Sequence, residues 1–140
     1  MTKTVDLNPS ADDFAAFFLS DTSGLDIELP NGEPMLYNGQ QVRVHLYGPS
    51  TAQHVKAKEA LDREAIKRVV AASGAKGKRE AEDKDADVRF LVAVTARVEN
   101  FPFPGGAEGI YREKRLAYIA DQVRKHLGDM GNFFTPGEAS

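Results

Sequence analysis

The chain has 140 residues, of which 41% are hydrophobic and 28% are charged, and its formal net charge is −3. This acidic balance does not favour nucleic acid, because phosphate binding needs a strongly basic surface. The absence of cysteine excludes disulfides and thiolate ligands and fits a reducing cytoplasm. The polar N-terminus does not resemble a secretory signal, and no apolar run approaches the ~20 residues that span a bilayer. We expect one domain at 10–134, with a flexible N-terminus at 1–9 and a flexible tail at 135–140.

The N-terminal pattern predicts a short helix over residues 10–20. Ser10 and Asp13 have the spacing of a capping box. Phe14, Phe17 and Phe18 follow at a spacing that places three rings on one helical face.

Three strands are predicted next, at 25–29, 35–37 and 41–47, because apolar and polar residues alternate there. Asn31-Gly32 and Asn38-Gly39 separate them, and Asn-Gly is the strongest short signal for a hairpin turn. These strands suit a small antiparallel meander, which needs helices against its apolar face.

Helices dominate the remaining chain. A capping box at 50–53, with Ser50 as the cap, opens a predicted helix over 51–72, and a glycine- and lysine-containing break follows at 73–78. The segment 88–98 fits either a strand or a helix. Continuity with the charged run before it favours a helix over 80–98.

The last helix is predicted over 109–127, with Gly128 as its C-cap. The fold class is therefore α+β: a small N-terminal antiparallel β-meander packed against three to four α-helices, with a helix-rich C-terminal two-thirds.

No motif for catalysis or cofactor binding stands out. The run Gly74–Lys78 lacks the spacing of a phosphate-binding loop. Asp83, Asp85 and Asp87 are not followed by the glycine and glutamate of a calcium loop. The chain also has no Gly-x-Ser-x-Gly elbow and no histidine pair at i, i+4. We expect a protein that is not an enzyme and has no cofactor or metal.

Four segments together resemble the tail assembly chaperones of tailed phages and prophages. They are the strand-to-helix junction Val44-His-Leu-Tyr-Gly-Pro-Ser50, the charged helix pair at 51–98 with its polar break, Arg97-Val-Glu-Asn-Phe101 before a glycine-bearing loop, and the terminal helix from Tyr111 to Arg124 followed by Asp129-Met-Gly-Asn-Phe133. The resemblance covers residues 25–134.

The resemblance implies a protein of the host cytoplasm that coats the tape-measure protein and keeps its apolar helices soluble. Tail-tube subunits then displace it. Partners would be the tape-measure protein, the tail-tube protein and further copies of the chain, with no nucleic acid and no membrane. The candidate contacts are the phenylalanines of loops and ends: Phe101, Phe103, Phe133 and Phe134. Alternatively, these rings fold back and fasten the last helix to the core.

Two other functions stay open. One is a structural virion protein, such as a head–tail connector or tail-completion subunit. The other is a small nucleic-acid-binding regulator, although acidic residues are interleaved with the lysines and arginines of every basic run.

Overall fold

The structure, a computed structural model, describes residues 11–70 and 76–134. The expected flexible ends at 1–9 and 135–140, the predicted cap Ser10 and part of the predicted break lie outside these residues. The strands are β1 (Thr22–Asp26), β2 (Leu36–Tyr37), β3 (Gln40–Gln41), β4 (Arg43–Tyr47) and β5 (Thr95–Glu99). The helices are α1 (Ala52–Val70), α2 (Lys76–Ala93), α3 (Gly106–Arg112) and α4 (Ala117–Leu127), with 3-10 segments at Ala11–Phe17, Lys114–Leu116 and Met130–Phe133.

This architecture confirms the predicted α+β class. The main sheet is antiparallel with strand order β1-β4-β5, so the central strand pairs with both neighbours. β2 and β3 form a separate two-stranded hairpin. Its turn is the predicted Asn38-Gly39, in which both residues have positive φ values of 52° and 77°. Two consecutive positive φ angles define the type I′ turn that Asn-Gly favours.

The predicted helix over 80–98 is wrong in its last part. α2 ends at Ala93, and residues 95–99 form β5. The Thr95 hydroxyl donates to the carbonyl of Leu91 at 2.7 Å and satisfies one of the last helical carbonyls. Val94 is fully buried, and its carbonyl accepts from the amide of Tyr47 at 2.8 Å. The pattern of this segment allows either a strand or a helix, and pairing with β4 decides that residues 95–99 form a strand.

The single last helix expected over 109–127 is divided into α3 and α4. Glu113 has extended backbone angles, φ −81° and ψ 113°, and its side chain accepts from the amide of Arg115. A 3-10 turn then leads into α4. Gly128 is the C-cap of α4, as predicted, and its amide bonds to the carbonyl of Arg124 at 3.1 Å.

Other boundaries also differ from the sequence predictions. The strand predicted at 25–29 is β1, which runs over Thr22–Asp26. The helix expected over 10–20 is a 3-10 segment, Ala11–Phe17, within the described chain. α1 is capped by Thr51 rather than Ser50. The hydroxyl oxygen of Thr51 accepts from the amide of His54 at 3.2 Å, so the cap lies one residue later than expected.

One face of the main sheet carries the core. The inward side chains of β4 are those predicted, Val44 and Leu46, which are 1% and 0% exposed. α2, α3 and α4 cover this face with Leu91, Ile110, Ile119 and Val123. α1 packs against α2. No described helix combines the length and the apolar content that a membrane span requires.

Candidate protein-binding site

The four predicted contact residues fall into two groups. Phe101 and Phe103 are partly buried and stack on one another, with ring centroids 5.7 Å apart and an interplanar angle of 17°. Phe133 is 1% exposed, and Phe134 is half-buried. The structure brings the first pair together as one surface feature and removes Phe133 from the surface.

Phe133 fastens the C-terminal segment to the fold. Its ring meets His126 edge to face at 5.6 Å, and its carbonyl accepts from the amide of Ser20 at 2.6 Å. A Cβ on Gly48 would lie 3.1 Å from the Phe133 ring and 2.6 Å from the Ser20 carbonyl. The ring therefore fills a site that requires glycine opposite it. The Phe133 ring is therefore packed against the fold, as the alternative interpretation predicted, and is not exposed to a partner.

Phe101 and Phe103 belong to a larger cluster that we call the aromatic surface: Tyr37, Phe101 and Phe103. Tyr37 meets Phe101 edge to face, with centroids 5.8 Å apart at 81°. Tyr37 is 42% exposed. The sequence interpretation missed this residue. Its signal was the Asn38-Gly39 turn, which places the residue just before it at the tip of a hairpin.

Hydrogen bonds to backbone hold the hairpin under the aromatic surface. The amides of Ile27, Met35 and Val42 donate to one another's carbonyls in a closed ring, at 2.9–3.0 Å. The side-chain amide of Gln41 donates to the same three carbonyls, at 2.8–3.2 Å. Asn100, at a positive φ of 66°, donates its side-chain amide to the carbonyl of Gln41 at 2.8 Å. The strand end before Phe101 is thereby tied to the hairpin that carries Tyr37.

The loop after Phe101 is also constrained. Pro102 and Pro104 fix their own φ angles. Gly109 lies so close to the carbonyl of Pro104 that a Cβ there would be 2.0 Å from the oxygen. A rigid apolar surface loses little conformational freedom when a partner binds, so more of the contact energy appears as affinity.

A second surface feature is a groove of about 720 Å³ between α2, α3 and α4. Its apolar lining comes from Val88, Tyr111, Ala117 and Ala120. Charged side chains surround this lining. Arg112 bonds to Asp85 at 2.7 Å, and this hydrogen bond holds the pKa of the Asp85 carboxyl below its usual value. Arg124 pairs with Asp87, so ion pairs join α2 to both α3 and α4.

The histidines take part in structural contacts. His45 bonds through Nε2 to Glu99 at 2.7 Å, and this bond lowers the pKa of the Glu99 carboxyl. His126 lies 2.8 Å from the hydroxyl of Ser23, which suggests a nucleophile and its base. The Ser23 hydroxyl, however, donates to the carbonyl of Asn132 at 2.7 Å, so its proton points away from the imidazole. Among residues 11–70 and 76–134, no three His, Asp or Glu side chains form a metal-binding group.

Comparison with known proteins found no match for this chain among family models, curated proteins or solved structures. We therefore infer function from the geometry of the described residues and from the resemblance of the four sequence segments.

Proposed function

We propose that this chain is a tail assembly chaperone of a tailed phage or prophage. It acts without catalysis, binds the tape-measure protein and keeps it soluble until the tail tube assembles. The observation that carries the proposal is the aromatic surface, in which rings far apart in sequence form one rigid, accessible apolar cluster.

The chemistry of this cluster suits a helical client. An amphipathic helix presents apolar side chains at i, i+3 and i+4, and a partner must offer them a fixed apolar surface. Tyr37 supplies a large amphipathic ring with few rotatable bonds, and Phe101 and Phe103 extend the apolar area. Contacts of this kind depend on burial and shape more than on sequence, so one surface can serve successive stretches of a long client.

The test is co-expression with a tape-measure candidate, which would be a very long, mainly helical open reading frame encoded close to this one. The wild-type chain should raise the soluble fraction of the candidate. Tyr37→Thr should abolish that effect, since threonine keeps strand propensity and removes the exposed ring of the aromatic surface.

The matched control is Val55→Thr on α1, where the side chain is similarly exposed at 43%. This variant should rescue the candidate as well as the wild type does. Failure of the wild type across several candidate constructs would contradict the proposal. Stoichiometric presence of the chain in purified virions would favour a structural virion protein. Binding of DNA or RNA with steep salt dependence would favour a regulator.

A further inference from the structure

The outer edge of β1 presents a row of backbone groups. In an antiparallel pair, successive residues direct their amide and carbonyl alternately toward and away from the neighbouring strand. The amide of Ile27 donates to the carbonyl of Val42 at 3.0 Å, so the odd-numbered residues of this stretch face β4. Thr22, Gly24 and Asp26 therefore direct their backbone groups outward, and all three residues are exposed. In the part of the chain that the structure describes, nothing bonds to these outward amides and carbonyls.

Other contacts close this row at both ends. The amide of Ser20 donates to the carbonyl of Phe133 at 2.6 Å. At the other end, the side chain of Gln122 accepts from the amide of Glu28 at 2.9 Å and donates to its carbonyl at 2.8 Å, as a neighbouring strand would. We call the open edge between these contacts, Thr22–Asp26, the β1 notch. A short extended segment fits the notch, whereas a long strand would meet Phe133 or Gln122.

The opposite edge of the main sheet is less suited to pairing. In β5, Ala96 is an extra residue, because Thr95 and Arg97 lie opposite successive residues of β4. A bulge of this kind interrupts the regular row of edge groups and hinders the addition of a strand. β1, in contrast, pairs with β4 in one unbroken register. The β1 notch is therefore the edge at which a further strand continues the sheet.

The surroundings of the notch have an excess of negative charge. On β4, Arg43 pairs with Asp26 at 2.5 Å and His45 bonds to Glu99, so these charges are compensated. A partner segment with lysine or arginine side chains is favoured by the charges that remain. Those without an ion pair to another described side chain, on β1, its flanks and the end of α4, are three carboxylates and one cation: Asp21, Glu28, Asp129 and Lys125.

We propose that the β1 notch binds a short, extended, basic segment of another polypeptide, which joins the main sheet as an additional strand. Backbone hydrogen bonds to Thr22, Gly24 and Asp26 provide the affinity, and alternate side chains of the segment lie on opposite faces of the sheet. On the helix-covered face they meet Leu25, which is partly buried against the core. The notch is separate from the aromatic surface, so this inference does not rest on the proposed function.

The probe is a capped peptide of about seven residues in which lysine and valine alternate, which is long enough to fill the notch. Nuclear magnetic resonance of the isotope-labelled chain should show changed amide signals at Thr22, Gly24 and Asp26 when the peptide is added. Hydrogen exchange at these amides should slow, because each gains an acceptor. The absence of both effects at about 1 mM peptide would overturn the proposal, since that concentration reaches the weak end of measurable affinity.

Two modified peptides test whether the contact is a strand pairing. One carries N-methyl groups on its lysines and the other on its valines, so both keep all side chains. Only alternate amides of an added strand face β1. One form should therefore bind about tenfold or more weakly than the unmodified peptide, and the other should bind like it. Equal binding by the two forms would overturn the proposal, because the contact would then not depend on backbone pairing.

Variants of the chain provide an independent check. Thr22→Pro removes one outward amide and keeps the bonds between β1 and β4, since proline is tolerated at an edge strand whose amide faces outward. It should weaken binding about fivefold or more. Glu28→Lys should also weaken binding, whereas the control Glu59→Lys makes the same charge change at an exposed position on α1 and should bind like the wild type. Equal affinities in the two lysine variants would contradict the preference for a basic segment.

Discussion

The hydroxyl of Ser23 lies 2.8 Å from Nε2 of His126, although the two residues are 103 positions apart in the chain. Because the hydroxyl donates to the carbonyl of Asn132, Nε2 must donate to the hydroxyl oxygen. Nε2 of His126 therefore carries a proton. The contact joins β1 to the end of α4 and to the 3-10 segment that carries Phe133.

The burial of His126 makes stability depend on pH. Burial lowers the pKa of His126 below its ordinary value of 6.5, with Asp129 opposing the shift. A lowered pKa in the folded state means that the neutral form stabilises the fold. That stability is complete above pH 6.5 and is lost as the pH falls through the folded pKa. Urea unfolding should show a lower free energy at pH 5 than at pH 7.

The control for this pH effect is His126→Gln, which keeps a side-chain N–H donor and does not titrate. In this variant the free energy of unfolding should differ less between pH 7 and pH 5 than it does in the wild type. The Glu99 carboxyl, whose pKa is lowered from 4.5, contributes only at more acidic pH and leaves this window unaffected. An undiminished slope in the glutamine variant would contradict the assignment to His126.

Phe133→Ala should destabilise the chain by about 3–5 kcal/mol, because it leaves a cavity at a ring that is 1% exposed. Phe17→Ala, at a ring that is 75% exposed, should change stability by less than about 0.5 kcal/mol. Urea unfolding at pH 7, where the variants are compared at equal protein concentration, checks both. Similar losses of unfolding free energy in the two variants would show that Phe133 does not hold the terminal segment to the fold.

Gly109→Ala should disturb the loop that carries Phe103. The new Cβ would be 2.0 Å from the carbonyl oxygen of Pro104, so the backbone must move, at a cost of about 1–3 kcal/mol. Gly128→Ala is the matched control. Its Cβ meets its nearest neighbour at 3.5 Å and its φ is −74°, so it should stabilise by about 0.4–1 kcal/mol. The midpoint of thermal unfolding should fall in Gly109→Ala and rise in Gly128→Ala.

Gln41→Glu should destabilise the hairpin beneath the aromatic surface by about 2 kcal/mol or more. The variant replaces the amide donor with a carboxylate that faces the carbonyls of Ile27, Met35 and Val42. Gln40→Glu, next to it and exposed, should be nearly neutral. Hydrogen exchange at the amides of Met35 and Val42 provides a local readout. Equal protection in both variants would contradict the role given to Gln41.

Short-range patterns predicted much of this fold. Alternation identified the inward side chains of β4, and Asn38-Gly39 identified a hairpin turn, because both signals depend only on neighbouring residues. The α+β class and the C-cap at Gly128 were likewise predicted, and Phe101 and Phe103 were recognised as candidate contacts. The sequence also determined that the chain has no thiol chemistry and no long apolar run.

Only the tertiary structure decided what depends on distant partners. The pattern of residues 95–99 allowed a helix. They form a strand because they pair with β4 and because Val94, just before them, is buried in the core. Tyr37 joined Phe101, and Phe133 entered the core opposite Gly48, through contacts between segments far apart in the chain. Periodicity shows that a side chain is apolar and which face of its element it occupies. Whether that side chain is covered depends on the packing of the other elements.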